Sequence, residues 1–285
     1  MSLSSINLDA FYTVAQCGNF TTAAKKLFVT QSALSQRIAK LEDELETSLL
    51  IRDPQKLKLT AAGECLLRYC QTKNALETEA LNQIKSEGDQ LSGTIRIGGF
   101  SSVMRSVVLP ALSPTLRNNP DLNLVFINGE LSELPHLLRS SAIDYMILYD
   151  DMDLPNVEKV HLGDEKNVLA HPSAYKAINV FLDHDENDRT TERYLKKYAK
   201  THVVQRRYLD DVYGLIDGVK NGLGKAIIPV HLIHDHKSIR IINPKNHILF
   251  PVNLYFYKKP YYSKVHHEII TTLTDATPKL LAPKR

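Results

Sequence analysis

Residues 21–46 read TTAAKKLFVTQSALSQRIAKLEDELE, and their spacing predicts two short helices joined by a tight turn. Thr21 is placed to cap a first helix carrying Ala23, Ala24 and Leu27. Phe28-Val29-Thr30 supplies a turn, and Thr30 can accept a backbone hydrogen bond as N-cap of the second helix. In that second helix Leu34, Ile38, Leu41 and Leu45 recur at helical spacing and form one apolar stripe. The other face begins Gln31, Ser32, Ser35, Gln36, Arg37. These short polar and amide side chains suit base edges and phosphates when a helix lies in a major groove. No acid lies between Asp9 and Glu42, while Lys25, Lys26, Arg37 and Lys40 do, so phosphates would meet a positive face. An ordinary helical hairpin with a solvated face has the same spacing. The flanks decide between the two.

Upstream, Leu8, Phe11, Val14 and Ala15 predict a helix ending at Gly18-Asn19. Downstream, Leu49–Arg52 and Lys56–Thr60 can pair as a hairpin across the turn-forming Asp53-Pro54-Gln55. Helices followed by a basic hairpin make a winged helix-turn-helix. The candidate DNA contacts are therefore Thr30, Gln31, Ser32, Ser35, Gln36 and Arg37 on the second helix, with Arg52 and Lys56 on the wing. Gln31 or Gln36 could pair with adenine, and Arg37 with guanine or a phosphate.

The run LDAFYTVAQCGNFTTAAKKLFVTQSALSQRIAKLEDELETSLLIRDPQKLKLTAAG resembles the N-terminal domain of LysR-type transcriptional regulators. The Ala-Ala pair, the TQSALSQRI core, the following LE and the closing Leu-Thr-x-Ala-Gly carry the likeness. Within that family the wording is similar to the arginine/lysine-responsive branch, but it lies in the DNA-binding half and does not bear on the ligand. The resemblance implies a winged helix-turn-helix over 1–60 and a linker helix over 61–91 through which two chains dimerise. It further implies an effector domain over 92–285, two α/β lobes like those of a periplasmic binding protein. Lobe one would take 92–161 and 263–285, and lobe two 162–262. VKNGLGKAIIP matches the family's Val-x-x-Gly-x-Gly-x-x-x-x-Pro, with Lys225 where an apolar residue is usual.

Composition is compatible with this. The chain has 285 residues, room for more than one core, and 43% are hydrophobic. The net charge of +3 is small, so DNA affinity must come from local clustering. No basic-then-apolar leader and no long apolar run is present, which predicts a cytoplasmic protein without membrane insertion. Cys17, Cys65 and Cys70 are odd in number and lack CxxC spacing, as in a reduced compartment. No cysteine lies beyond Cys70, so the disulfide peroxide switch of one LysR branch has no residues here.

Residues 60–86 lack proline and predict a long helix, with Thr60 as cap and Glu64 in the first turn. Leu66, Leu67, Cys70, Leu76, Leu81 and Ile84 do not form a clean heptad, so spacing alone leaves open a helix packed on its own domain. A polar linker follows over 87–93. Beyond it, predicted strands at Thr94–Gly98, Asn123–Ile127 and Asp144–Leu148 alternate with helices at Val107–Leu116 and Leu131–Ser140. Further strands are read at Asn167–Ala170, Asn179–Leu182, Val203–Gln205, Ala226–Ile228 and Val252–Tyr257, with helices near 190–200, 210–221 and Val265–Thr274. This alternation predicts doubly wound lobes on parallel sheets.

The turn Gly99-Phe100-Ser101-Ser102 leads into a helix, where hydroxyls and free N–H groups suit a carboxylate; plain capping explains the serines equally. The family resemblance places effectors here. Phe100, Ser101, Ser102, Asn128, Gly129, Tyr149 and Tyr208 are the effector candidates, for an anionic or zwitterionic metabolite. His231, His234 and His236 form a metal-like cluster, but no cysteine accompanies them and a surface segment after Pro229 explains them; no metal or cofactor is expected. The expected partners are double-stranded operator DNA, the metabolite and a second or further copy of the chain, as homodimer or tetramer. No catalytic residue set is visible. The rivals are a ligand-independent or metal-responsive regulator, a solute receptor, and an enzyme on a binding-protein-like fold. The Thr-Arg-Phe stretch of prephenate dehydratases is absent.

Overall fold

The computed structural model describes residues 3–52, 57–84, 90–129, 131–149, 152–176, 178–199 and 204–282. Helix α1 (Ser5–Cys17) ends at Gly18, whose φ of 68° lets its N–H reach back to Val14 O. The chain then enters α2 (Phe20–Lys26) capped by Asn19, whose side chain accepts from Thr22 N at 2.7 Å. Thr21 is thus inside the helix. The left-handed turn at Gly18 leaves Asn19 extended and in capping position, so the helix starts earlier than Thr21 allows. Thr30 caps α3 (Gln31–Glu44), accepting from Ala33 N at 3.2 Å.

Leu34, Ile38 and Leu41 of α3 are fully buried against Phe11 and Val14 of α1 and Ala23 of α2. The wing pairs β1 (Leu50–Arg52) with β2 (Leu57–Leu59) in antiparallel register. Its expected turn, Asp53-Pro54-Gln55 with Lys56, lies outside the described residues. The Glu42 carboxylate fastens the wing to α3, accepting from Leu49 N at 2.7 Å and Leu50 N at 3.2 Å. Helix α4 (Ala61–Ile84) is capped by Thr60, which accepts from Gly63 N at 3.0 Å. Its apolar positions divide by location. Leu66, Leu67 and Cys70 complete the N-terminal core, whereas Leu76, Leu81 and Ile84 are exposed.

The C-terminal part is built on an eight-stranded sheet of order β4-β3-β5-β10-β6-β9-β7-β8. Parallel pairs join β3 (Gly93–Gly99) to β4 (Leu122–Asn128) and to β5 (Tyr145–Leu148). A second parallel group joins β7 (Val180–Asp183) to β8 (Gln205–Tyr208) and to β9 (Lys225–Pro229). Between them lie two long antiparallel strands, β6 (Val157–Pro172) and β10 (Ile239–Tyr257). The sheet is therefore mixed, and the expectation of parallel sheets is corrected. Only Asn167–Ala170 and Val252–Tyr257 stand out in sequence. Gly163, Pro244 and Pro251 interrupt the apolar pattern, and the pairing itself shifts register at Ile242/His247 and Val252/Asn253.

Among the described residues, helix follows each parallel strand except β5, after which the chain enters β6. Residues 101–118 run as α5 (Ser101–Val103), a π-helical turn Met104–Val108 and α6 (Leu109–Asn118), so helix begins well before the expected Val107. Helix α7 (Leu134–Arg139) is shorter than expected. Then come α8 (Thr190–Tyr198), α9 (Val212–Lys220), α10 (Val230–Ile233) and α11 (Lys264–Leu281), the last continuing through Pro278. One core gathers Ile95, Ile97, Val107, Leu112 and Leu254 under Ile269 and Leu273 of α11. Another gathers Val168, Leu182, Leu215, Val219 and Ile228. Two lobes result, with β6 and β10 running through both. Helix α4 also touches the first lobe: Arg68 donates to Arg139 O at 3.3 Å and sits 4.5 Å from the Tyr257 ring centroid. Gln71 donates to Ser141 O at 3.3 Å, and Tyr261 OH to Glu79 at 2.7 Å.

Candidate DNA-recognition face and effector cleft

The burial of Leu34, Ile38 and Leu41 fixes which side of α3 faces out. Gln31, Ser32 and Gln36 are exposed, while Ser35 and Arg37 are half-buried. Thr30, besides capping, shares a hydrogen bond with Ser32 Oγ at 3.1 Å. Exposed Lys25, Lys26 and Lys40 flank this face. The Arg52 backbone pairs with Leu57, but its side chain and all of Lys56 lie outside the described residues. In the turn, Phe28 has a φ of 55° and a side chain 96% exposed.

The second site lies where the lobes meet. Tyr149, at the end of β5, donates its phenol hydrogen to Glu165 Oε1 at 2.9 Å and pairs with Ser102 Oγ at 2.8 Å. Its ring stacks on Phe100 with centroids 4.9 Å apart. Burial, then the Glu165 charge, pushes the Tyr149 phenol well above its ordinary range, so it stays a donor. From the other lobe, His231 of α10 places Nε2 2.7 Å from the same Glu165 oxygen. Its Nδ1 lies 2.9 Å from Ser106 Oγ, and Ser106 donates to Ser102 O at 2.5 Å. Asn167 donates to Glu165 Oε2 at 3.1 Å. The Glu165 and His231 side chains are only 3% and 1% exposed. Arg105 over the Tyr213 ring, 4.1 Å from its centroid, makes a further contact between the lobes.

Of the effector candidates, the structure thus brings Phe100, Ser102 and Tyr149 together. Ser101 is half-exposed beside them. Asn128 is exposed at the end of β4, and Gly129 N lies 3.4 Å from Gly99 O. Tyr208 stands apart, 44% exposed on the edge strand β8 beside Arg206. His231 is buried, not part of a surface segment, whereas His234 and His236 are exposed. His234 Nε2 pairs with Asp235 at 3.0 Å. Among the described residues no cluster of His, Cys, Asp and Glu is arranged to hold a metal ion. Sequence reasoning missed Ser106, Glu165 and Asn167, and placed His231 on the surface with His234 and His236. Glu165 and Asn167 alternate along β6 and so share a face, a polar pair beside buried Val168, which was the available signal.

A third feature is a cavity of about 280 Å³ where α4 meets the first lobe, lined among others by Tyr145, Tyr262, Lys259 and His266. His266 stacks on Tyr262 and bonds Tyr145 OH at 2.9 Å. Burial first, then Lys259 and His267, lowers its pKa from 6.5 to about 4, so the ring is neutral near pH 7.

A winged helix-turn-helix, a long helix and a two-lobed sensing domain together define a ligand-responsive, DNA-binding transcriptional regulator. Residues 7–64 match the family described as bacterial regulatory helix-turn-helix protein, lysR family, and residues 88–278 match the LysR substrate binding domain. The chain belongs to the LysR family. A putative transcriptional regulator of Pseudomonas aeruginosa is 41% identical over 121 residues, which are 42% of this chain and 39% of that protein. The Bacillus subtilis regulator YofA is 25% identical over 80% of this chain and 81% of its own length. The full-length structure of LysG from Corynebacterium glutamicum with bound effector Arg superposes with a TM-score of 0.74 at 18% identity, covering 96% of this chain and 98% of LysG. ArgP from Mycobacterium tuberculosis superposes with a TM-score of 0.76 at 21% identity, covering 99% and 98%. These two likenesses are of fold. No helix among the described residues is long and apolar enough to cross a membrane.

Proposed function

We propose that this regulator reads its operator through Gln31, Ser32, Ser35, Gln36 and Arg37 of α3, capped by Thr30, with Arg52 and Lys56 on the wing. The reading is carried by one observation: Leu34, Ile38 and Leu41 of α3 are fully buried, which turns Gln31, Ser32 and Gln36 outward. Gln31 and Gln36 present amides that match adenine N6 and N7, and the lysines around them meet phosphates. Two such units, joined through α4 in a homodimer or a tetramer, read half-sites of a partly palindromic operator. The exposed Leu76, Leu81 and Ile84 supply apolar surface for that pairing. The protein works where the chromosome is, in the cytoplasm, and no catalytic step is required of it.

The regulatory signal is a small metabolite taken up between the lobes, at Phe100, Ser101, Ser102 and Tyr149, with Asn128, Gly129 and Tyr208 at greater distance. Lobe one is taken as 92–161 and 263–285, and lobe two as 162–262, so that the site lies on the division. A ligand held there changes the population of lobe arrangements, and the Arg68 and Gln71 contacts carry the change to α4. That LysG is described with bound effector Arg supports a small-molecule signal in this fold.

The test uses the DNA that co-purifies with the protein, sequenced to find the operator. Arg52→Ala is expected to weaken binding to operator and random DNA alike, and to reduce the salt dependence by about one ion. Gln36→Ala is expected to relax preference at one base pair, by about 1–3 kcal/mol. Unchanged binding by both variants would overturn the assignment.

A further inference from the structure

The cavity where α4 meets the first lobe is walled by three parts of the chain: Tyr12 from α1, Gln71 from α4, and Tyr145 and His266 from the lobe. It shares no residue with the cleft around Ser102, Tyr149, Glu165 and His231. Its volume of about 280 Å³ is close to the lower end of small-molecule sites, roughly 300–1,000 Å³. One wall is made of rings. His266 stacks on Tyr262 with centroids 4.2 Å apart and lies 5.7 Å from Tyr145. Arg96, Lys259 and Lys264 line the cavity together with Asp144 and Glu79, three cations against two carboxylates. Both carboxylates are already engaged. Asp144 accepts from Arg96 N at 2.9 Å and lies 3.8 Å from the Arg96 guanidinium, and Glu79 accepts from Tyr261 OH. Lys259 is half-buried, and among the described residues no carboxylate pairs with it. Its charge reaches into the cavity, where it is the next cause after burial of the lowered His266 pKa.

From this arrangement we infer that the cavity is a second small-molecule site, taking an aromatic carboxylate whose anion meets Lys259 and whose ring lies against Tyr145, Tyr262 and His266. A half-buried ammonium gains more from an anion than an exposed one does, because water and salt screen it less. The bond between them is charge-assisted on both sides. The ligand ring gains apolar area and offset or edge contact with the rings of the wall. A ring without charge leaves Lys259 as it was, an amine adds a fourth cation, and acetate leaves the ring wall uncovered. Since the walls come from α1, α4 and the first lobe, an occupant ties the DNA-binding unit to the sensing domain. The site does not depend on the cleft holding a metabolite.

The experiment is titration calorimetry of the full chain with benzoate, 4-hydroxybenzoate and phenylacetate, beside benzyl alcohol, benzylamine and acetate. At least one of the three ring acids is expected to bind with a Kd of about 1 mM or below and to raise the melting temperature. The three controls should bind about tenfold or more weakly than that acid. Lys259→Gln should weaken the acid about tenfold or more, since a bond to a charged group is lost. Thr94 also lines the cavity and is exposed on β3, so Thr94→Trp should fill the space and abolish binding. Both variants should unfold cooperatively and hold the co-purified DNA as the parent does, which separates loss of the site from loss of the fold. Ser102→Ala, in the cleft, should bind the acid unchanged. Loss of binding in Ser102→Ala with full binding in Lys259→Gln would place the acid in the cleft and overturn the second site. Equal binding by the parent, Lys259→Gln and Thr94→Trp overturns it too, as does no binding of any ring acid at millimolar concentration. Tighter binding of benzyl alcohol or benzylamine overturns the charge assignment.

Discussion

The two ends of this molecule expose and bury their polar groups in opposite ways. In the DNA-binding unit the proposed contact residues Gln31, Ser32 and Gln36 stand in solvent, and the core that α3 packs on is mainly aliphatic and aromatic. At the lobe junction, Ser102, Glu165, Asn167 and His231 are buried, with Asn167 and His231 bonded to Glu165 and Ser102 joined to it through Tyr149. A surface site is free of the fold that carries it, because exposed polar side chains contribute little to stability. A buried polar site is part of the fold, because any member left without its partner must be desolvated for nothing. The first can wait for its partner unchanged, while the second must exchange one set of bonds for another.

The sharpest way to break that contrast is to remove one member of the buried pair. Glu165→Leu leaves His231, Tyr149 and Asn167 without the buried carboxylate they share, and should cost about 3–5 kcal/mol of stability in urea unfolding. Glu165→Leu combined with His231→Leu should recover only part of that loss, since the pair is gone but Tyr149 and Asn167 still lose the carboxylate that accepts from them. Gln31→Ala and Gln36→Ala, measured in the same way, should stay within about 0.5 kcal/mol of the parent. Should the pair variants prove as mild as the glutamine variants, the lobe junction is not the closed network drawn above.

The same contrast explains what could be read from the chain in advance. Helix α3, its Thr30 cap and the outward polar set depend on spacings within a few residues, so local pattern decides them. The junction depends on partners far apart in the chain: Tyr149 with Ser102, Glu165 with His231, Ser106 with His231. No window of sequence contains both members of such a pair. The long antiparallel strands escaped for a related reason. β6 and β10 pass from one lobe to the other, so their burial changes along their length, from half-exposed Val157 and Glu158 to buried Val168 and Ala170, and no single period describes them. The polar neighbours His234, Asp235 and His236 give His231 the pattern of a surface segment, while Glu165 and Ser106, distant in the chain, bury it.

A second test uses pH, on a half-buried histidine away from the cleft. His266 is held neutral, its pKa lowered from 6.5 to about 4 chiefly by burial. The unfolded chain binds that proton first, so the stability this residue provides is complete above pH 6.5 and is lost as pH falls towards 4. The full loss corresponds to at most about 3 kcal/mol. Unfolding free energy of the parent should therefore fall between pH 6.5 and 4 more steeply than that of His266→Gln, which can still accept from Tyr145. Parallel pH profiles for the two proteins would mean that the His266 ring is solvated.

The smallest expected effect tests the exposed end, at a bulky residue held there in a strained backbone conformation. Phe28 lies in the turn before α3 with a φ of 55°, in the left-handed region that bulky residues avoid. Its side chain is 96% exposed, so it gains no packing in return within this chain. The turn itself is closed by backbone bonds, Phe28 N to Lys25 O at 3.2 Å and Val29 N to Ala24 O at 3.0 Å, which need no particular side chain. Glycine adopts this conformation without strain, though it adds freedom to the unfolded chain, and the two effects oppose each other. Phe28→Gly should therefore raise stability by about 0.5–1 kcal/mol, read as a higher melting temperature of the N-terminal unit in calorimetry. Affinity for the co-purified DNA should fall severalfold, because an aromatic ring beside Lys25, Lys26 and Gln31 offers apolar contact to a sugar or a thymine methyl. The salt dependence should not change, since no charge is removed. A variant that lost stability and kept its DNA affinity would place Phe28 among the residues that hold the turn, and not on the surface that meets DNA.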